Sequence, residues 1–274
     1  MKLFLIIILI ILALLLLLFS LFLFLVKPGK RRAEIDKFKK VKFAHRGLHG
    51  SGVSENSMTA FRLATEAGYG IELDVRLSSD GELVVFHDDT LDRVTGISGR
   101  VDSKSADELS QIHLSGTDDT VPKFSDVLKL IDGRVPLLIE IKEDAMKYDV
   151  STKTAEILSD YKGEFIIESF NPLSLANIRK LMPNVLRGQL CMDYMKEEKY
   201  RKPMYFLLKN FILNFKSRPD FIAFCHTDSK CFVFRLLKKL FKVPAFAWTV
   251  KSKEDEQKAL ENGFDSIIFE QYNA

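Results

Sequence analysis

Four short groups of polar residues lie in the first third of the sequence, and their side chains together could act on a phosphodiester. These are His45-Arg46, Glu55, Glu72 with Asp74, and His87. Histidine transfers protons near neutral pH, and arginine can bind phosphate oxygens in a bidentate manner. Carboxylates supply the oxygen ligands that a divalent cation prefers. The combination predicts phosphodiester chemistry.

These groups fall at the ends of short apolar segments and not on one charged helix face. The segment 41–44 ends at His45, Gly70-Ile71 leads into Glu72, and the segment 83–86 ends at His87. Parallel α/β barrels carry their active sites at the carboxyl ends of their strands. The placement therefore favours a barrel active site.

Two acids on one strand face suggest a cation site. Glu72 and Asp74 are two residues apart on a predicted strand, so their side chains point to the same side. Glu140 is a third acid on an otherwise apolar strand, and Lys142 follows on its face. A divalent cation would relieve the repulsion between buried carboxylates. The alternative is a simple ion pair, either Glu140 with Lys142 or Glu72 with Arg76.

The elements that must position these residues alternate along the chain as in a parallel sheet covered by helices. Eight parallel strands are predicted at residues 41–44, 70–75, 136–142, 164–170, 186–191, 220–225, 244–249 and 265–269. A ninth strand at 83–87 follows the second too closely for a parallel crossover, which needs about a dozen residues. Asp80-Gly81 is a hairpin turn signal, so this strand should fold His87 back beside Asp74.

The predicted fold class is therefore α/β, a (β/α)8 TIM-type barrel with a hairpin irregularity near its second strand. The chain of 274 residues, 47% of them apolar, suits one such domain, since these barrels take about 250 residues. Helices are predicted at 57–67, 104–112, 123–132, 149–161, 172–182 and 252–262. The segments 204–215 and 231–243 are aromatic and basic, which is typical either of barrel helices or of helices at a membrane surface.

A separate segment precedes the barrel. Residues 3–26 are apolar except for Ser20, and as a helix they would span roughly 36 Å, enough to cross a bilayer. A cleaved signal peptide is the competing interpretation, but its apolar region usually runs about 7–15 residues and ends at a small-residue site. We expect a transmembrane anchor at 1–26, a basic juxtamembrane linker at 27–40 and the barrel at 41–274.

Charge around the anchor predicts its orientation, because Lys and Arg are retained on the cytoplasmic side. Only Lys2 precedes the anchor, whereas eight basic residues follow it at 27, 30, 31, 32, 37, 39, 40 and 42. We therefore expect a single-pass protein of the cell membrane with its barrel on the cytoplasmic side. The basic flank could also contact anionic lipids.

The same flank explains the overall charge of +3. Nine of the 40 basic residues but only two of the 37 acidic residues precede Phe43, so the barrel carries 31 basic and 35 acidic residues, a net charge of −4. The basic pI therefore gives no reason to expect nucleic acid as a partner. Cys191, Cys225 and Cys231 are an odd number without metal-ligand spacing, which favours reduced thiols in the core.

Several of these motifs, in this order and spacing, resemble the signature of the glycerophosphodiester phosphodiesterase family. The matching segments are Ala44-His45-Arg46-Gly47, 53–57, 71–75, Asp80-Gly81, 84–88 and Glu140-Ile141-Lys142, with weaker matches at 168–172, 247–250 and 263–268. The resemblance covers residues 41–270, and the family's signature is specific. It implies a TIM-type barrel and hydrolysis of a glycerophosphodiester to glycerol 3-phosphate and an alcohol.

The resemblance also implies roles for individual residues. His45 and His87 match the acid and base pair, while Arg46, Lys142 and Trp248 match positions that bind phosphate or substrate. Glu72, Asp74 and Glu140, possibly with Glu55, match the ligands of a Ca²⁺ or Mg²⁺ ion. The attacking group in this family can be the glycerol 2-hydroxyl, which gives a cyclic phosphate before water opens it. Which histidine is acid and which is base stays open.

Three positions depart from the family pattern: Lys123, Lys251, and Glu270, where aspartate often ends the last strand. All lie outside the expected metal and histidine set, so they bear on specificity more than on activity. The substrate could be a deacylated glycerophosphodiester or a lysophospholipid. Two alternatives remain open, namely a lysophospholipase D- or phospholipase C-like enzyme acting on membrane lipids, and a non-catalytic phosphate-binding module displayed on a membrane.

Overall fold

Eight parallel strands close into a barrel, and a ninth strand extends it. The computed structural model describes residues 2–30, 33–144 and 146–274. In chain order the strands are β1 (Lys42–Ala44), β2 (Gly70–Leu77), β3 (Leu83–Val85), β4 (Leu137–Ile141), β5 (Phe165–Ser169), β6 (Arg187–Cys191), β7 (Phe221–Cys225), β8 (Ala245–Val250) and β9 (Ser266–Phe269). β1 pairs in parallel with both β2 and β9, which closes the barrel. The predicted fold class is confirmed.

One helix precedes the barrel, and the other described helices connect its strands. They are α1 (Lys2–Val26), α2 (Met58–Glu66), α3 (Asp92–Thr95), α4 (Ala106–Leu109), α5 (Phe124–Ile131), α6 (Asp149–Leu158), α7 (Pro172–Leu181), α8 (Pro203–Lys209), α9 (Asn214–Ser217), α10 (Phe232–Phe241) and α11 (Lys253–Glu261). Ser57 caps α2 by accepting a hydrogen bond from the backbone of Ala60, as N-cap residues do. The helix predicted at 104–112 is only the short α4.

The predicted hairpin is present. β2 and β3 pair antiparallel, with Val75 opposite Val85, and Gly81 in the turn has φ of 81°. Phe86 donates a backbone hydrogen bond to the carbonyl of Asp74 at 3.0 Å. Because His87 follows directly, its side chain is brought to the same end of the barrel as Asp74.

Large apolar side chains fill the barrel interior. They include Phe43, Phe221 and Phe246, whose rings stack on one another with centroids 4.7–5.9 Å apart. Ile35 and Phe38 belong to the same buried cluster, although both lie in the segment predicted to be a linker. Apolar burial favours this arrangement, so residues 33–40 pack as part of the barrel. Arg31 and Arg32 of that segment lie outside the described residues.

The two aromatic and basic segments differ in their packing. α10 buries Val233, Phe234 and Leu237 in the core, which makes it one of the helices that cover the barrel. α8 contains no fully buried residue, and its Met204 and Phe206 are 55% and 56% exposed. An exposed apolar surface therefore lies on the connection between β6 and β7.

α1 is the one helix among the described residues that is long and apolar enough to cross a membrane, and a signal sequence would pass the same test. Its carboxyl end is held against the barrel. Arg218 donates to the carbonyls of Phe24 and Lys27 at 2.9 and 2.8 Å, and Gly29 donates to the carbonyl of Pro219. Since Pro219 precedes β7, α1 joins the barrel at the amino ends of its strands.

Candidate active site

The two histidines of the predicted site line one cavity of about 90 Å³ at the carboxyl ends of the strands. The cavity wall also contains most of the other predicted residues, namely Arg46, Glu72, Glu140, Lys142 and Trp248. Asp74 and Glu55 contact this wall from behind through Arg46. The strand ends thus bring together residues that are up to 203 positions apart in the chain.

The turn after β1 orients Arg46. Arg46 and Gly47 both have positive φ, 55° and 81°, and a Cβ on residue 47 would lie 2.8 Å from the Cβ of Ala60. Only glycine is free of both penalties. The turn directs the backbone N–H of Arg46 onto Glu72 Oε2 at 2.9 Å, while the guanidinium extends to Glu55 and Asp74.

Three buried carboxylates form the acidic centre of the site. One oxygen each from Glu72, Asp74 and Glu140 lies within 4.8 Å of the others, and the three residues are 2%, 1% and 7% exposed. Asp74 and Glu140 are direct neighbours in the β2–β4 register. Asn56 fixes Asp74 by donating to its Oδ2 at 2.8 Å.

Burial and neighbouring charges shift the pKa values of these three acids in different directions. Burial, together with the charges of Asp74 and Glu140, raises the pKa of Glu72 well above its usual value. Burial likewise raises the pKa of Glu140 to about 7. For Asp74 burial acts in the same direction, but the nearby cations of Lys142 and Arg46 and the hydrogen bond from Asn56 outweigh it and lower the pKa.

The donor set fits a hard divalent cation. Three converging carboxylates supply the oxygen ligands that Ca²⁺ or Mg²⁺ takes, and a cation there would favour the charged forms of Glu72 and Glu140. Lys142 places a positive charge beside two of these acids, since its Nζ lies 2.7 Å from Glu140 and 3.1 Å from Asp74. The ion pair expected as the alternative to a cation site is therefore present beside the cluster. Arg76 is not paired with Glu72 but contacts Asp89 and the carbonyl of His87.

Glu55 occupies a different position from the three clustered acids. Arg46 Nη1 contacts its Oε1 at 2.7 Å, and Arg93 contacts both of its oxygens. Although burial opposes the shift, these two arginines lower the pKa of Glu55. In the described structure Glu55 thus holds Arg46 and is not part of the group of converging oxygens.

Each histidine is paired with a carboxylate. His45 Nδ1 lies 2.6 Å from Glu270 Oε2, and His87 Nδ1 lies 2.6 Å from Asp88 Oδ1. A carboxylate accepts hydrogen bonds, so the Nδ1 of each neutral ring donates, and Nε2 keeps its lone pair. Burial lowers the pKa of His45 and brings that of His87 to about 4. These shifts favour the neutral form of each ring in the free site.

The sequence reasoning missed several members of this network. Glu270 was considered only as a departure from a family pattern, and its position at the end of the last strand was the available signal. Arg93 joins the two halves of the site, because it contacts Asp88 at 2.6 Å as well as Glu55. It comes from α3 in the long connection after the hairpin, and no spacing in the sequence indicates that contact.

Glu168 is a further acid in the cavity wall. It is 1% exposed and pairs in register with Glu140 across β4 and β5. Burial, reinforced by the charges of Glu72 and Glu140, raises its pKa well above the usual value. This shift favours the protonated form of Glu168, and a cation bound nearby would reduce it.

Comparison with known proteins agrees with this geometry. The model of the glycerophosphoryl diester phosphodiesterase family matches residues 45–274. A glycerophosphodiester phosphodiesterase of Caldanaerobacter subterraneus is 31% identical over 244 residues, which cover 84% of this chain and 93% of that protein.

Solved structures show the same fold. A phosphodiesterase of Oleispira antarctica, in complex with the product sn-glycerol-3-phosphate, superposes with a TM-score of 0.70 at 21% identity and covers 85% of this chain and 94% of its own. A glycerophosphodiester phosphodiesterase of Thermotoga maritima gives a TM-score of 0.65 at 26% identity and covers 84% and 94%.

Proposed function

The chain belongs to the glycerophosphoryl diester phosphodiesterase family, and on that premise we propose that it is a metal-dependent enzyme that hydrolyses glycerophosphodiesters to glycerol 3-phosphate and an alcohol. The observation that carries the proposal is the single cavity in which two carboxylate-paired histidines face Arg46, Lys142 and the acidic cluster. The phosphodiesterase names of its relatives support the same reaction class.

The residues of the cavity have separate roles in binding the metal ion and the phosphate. Glu72, Asp74 and Glu140 would hold a Ca²⁺ or Mg²⁺ ion, which when bound supplies positive charge that stabilises the phosphate oxygens. Arg46 and Lys142 bind and orient the phosphate by charge-assisted hydrogen bonds. Trp248 and Phe170 form the apolar part of the wall and exclude water from it.

The two histidines perform the proton transfers. One neutral imidazole accepts a proton at Nε2 from the glycerol 2-hydroxyl, whose oxygen bonds to phosphorus while the bond from phosphorus to the alcohol oxygen breaks. The other histidine donates a proton to the departing alcohol; the negative charges of the bound phosphodiester and of its own carboxylate partner favour the imidazolium form that this step needs. Water then opens the cyclic phosphate with the two roles reversed. Glu270 and Asp88 stabilise each imidazolium as it forms.

We further propose that α1 anchors the protein in the cell membrane and that the barrel faces the cytoplasm, with residues 27–40 as the basic flank. The apolar length of α1 and the excess of positive charge after it support this arrangement. A protease added outside intact cells should leave the barrel uncut. Digestion of the barrel under those conditions would contradict the orientation.

The catalytic proposal is tested with the full chain in detergent, using glycerophosphocholine as substrate and an enzymatic assay for glycerol 3-phosphate. His45→Ala and His87→Ala should each abolish turnover, and a chelator should do the same to the wild type. His113→Ala is the matched control, since His113 is exposed and lies outside the cavity. Near-wild-type turnover in both cavity variants would refute the mechanism.

A further inference from the structure

A second cavity, of about 530 Å³, opens at the same end of the barrel as the candidate active site. It lies among the connections that follow β4, β5 and β6, and α8 forms one side. Its wall is formed mainly by large apolar and aromatic side chains, among them Phe170, Tyr194, Met204, Tyr205 and Leu208. Its volume falls in the range of about 300–1,000 Å³ that is typical of sites for one small ligand.

This apolar cavity borders the site of the proposed chemistry. Phe170 lines both cavities. Its ring packs edge-on against Trp248, with centroids 5.5 Å apart, and against Tyr194 on the other side at 6.4 Å. A row of three aromatic side chains thus extends from the wall of the catalytic cavity to the wall of the apolar cavity.

The chemistry of the wall selects the kind of ligand. Of the described residues that line the apolar cavity, Glu143 is the only one with an acidic or basic side chain, and its Oε1 accepts a hydrogen bond from the backbone of Ser151. Met146 and Met204 at the cavity are 78% and 55% exposed. Exposed apolar side chains beside a cavity mark a site for an apolar partner.

We propose that this cavity binds the single acyl chain of a lysophospholipid while the phosphodiester of the same molecule occupies the catalytic site. The inference rests on the proposed function and specifies its substrate class. An acyl ester at the glycerol 1-position leaves the 2-hydroxyl free for the proposed attack. The reaction consumes one water, breaks the bond between phosphorus and the head-group alcohol, and yields an acylglycerol phosphate and the alcohol.

The position of α1 favours a lipid that arrives as a monomer. α1 joins the barrel beside Pro219, at the amino ends of the strands, whereas the apolar cavity lies at their carboxyl ends. Most of the cavity wall therefore lies at the end opposite the attachment of α1, although Leu213 of the wall adjoins Asn214, which donates to the carbonyl of Val26 at 3.0 Å. A lysophospholipid has one acyl chain and exchanges through water, so it can reach the cavity as a monomer from solution.

Chain-length dependence tests the proposal with the full chain kept soluble in amphipol. Substrates are glycerophosphocholine and its hexanoyl, octanoyl and decanoyl lyso forms, each as monomer. We expect kcat/KM to rise by up to about fourfold for each added methylene until the cavity is filled. Met204→Asp and Leu173→Asp should abolish the rise while glycerophosphocholine turnover stays unchanged. Phe206→Asp is the control, because Phe206 is exposed on the same helix but outside the cavity.

A binding measurement separates this inference from the catalytic proposal. Trp248 is the only tryptophan in the chain, so a lysophosphatidylcholine with a brominated chain should quench its fluorescence saturably, without turnover. Quenching should persist in Phe206→Asp and weaken at least tenfold in affinity in Met204→Asp. Absent quenching, or a chain-length rise retained in both cavity variants, would overturn the inference. Quenching without turnover of any substrate would support the cavity and reject the catalytic proposal.

Discussion

A Glu270→Gln substitution should slow turnover strongly and leave the barrel folded. Glu270 Oε2 lies 2.6 Å from His45 Nδ1, and only 10% of the Glu270 side chain is exposed. A hydrogen bond to a charged group contributes about 1.5–3 kcal/mol. Because about 1.4 kcal/mol corresponds to a factor of ten, kcat should fall by roughly 10- to 150-fold. Glutamine keeps the shape but cannot stabilise an imidazolium.

The substitution also predicts a pH effect of definite sign. Burial lowers the pKa of His45, and its hydrogen bond to Glu270 raises it. Removing the carboxylate should therefore lower the pKa of His45 further. The limb of the kcat/KM profile that depends on His45 should move to lower pH.

The assay is glycerophosphocholine turnover across pH for the wild type, Glu270→Gln and Glu270→Asp. Glu270→Asp keeps the charge and should retain more activity than Glu270→Gln. Lys251→Ala is the matched control, because Lys251 contacts the other oxygen of Glu270 at 2.7 Å but is 55% exposed. A surface ion pair contributes about 0–1 kcal/mol, so this variant should lose less than about fivefold. Wild-type kcat and an unmoved pH profile in Glu270→Gln would refute the reasoning.

Three further perturbations follow from the contacts. Lys142→Met removes the ammonium group between two buried acids and should lower the free energy of unfolding by urea, measured in chelator, by about 3–5 kcal/mol. If adding Mg²⁺ or Ca²⁺ restores none of this stability, the metal site is rejected. Arg93→Gln should reduce kcat/KM about fivefold, because the loss of a half-exposed ion pair costs up to about 1 kcal/mol. Arg100→Gln removes an exposed ion pair outside the catalytic cavity and should leave kcat/KM unchanged. Equal effects of the two substitutions would contradict the positioning role of Arg93. Arg218→Ala should speed tryptic cleavage after Lys30 without changing turnover, because Arg218 binds the carbonyls of Phe24 and Lys27. Unchanged cleavage would show that Arg218 does not hold the carboxyl end of α1.

Much of the fold was predictable because local patterns and global geometry agree in this chain. Apolar segments of strand length separated by amphipathic segments indicate a parallel barrel, and the short Asp80-Gly81 connection permits only a hairpin there. The strand ends could then be expected to bring His45, Glu72 and Glu140 to one face. Strand-length periodicity and the turn signal are enough to predict these placements.

Other features depend on packing that no local pattern records. Ile35 and Phe38 lie in a basic segment whose composition predicts a linker, yet their side chains are buried in the barrel interior. Arg93 reaches Glu55 across 38 positions, and the apolar cavity is assembled from three separate connections. Tertiary contacts of this kind arise from the closed barrel and cannot be inferred from spacing in the chain.

³¹P NMR of glycerophosphocholine incubated with the purified full chain most directly tests whether this barrel mouth is a metal-dependent phosphodiester hydrolase. With Mg²⁺ or Ca²⁺ present, the diester signal should be replaced by glycerol 3-phosphate, and a cyclic glycerophosphate signal should appear transiently if the 2-hydroxyl attacks. Chelator, or the Glu72→Gln substitution, should leave the diester intact. An unchanged diester under every cation condition, or equal turnover in chelator, would contradict the proposal.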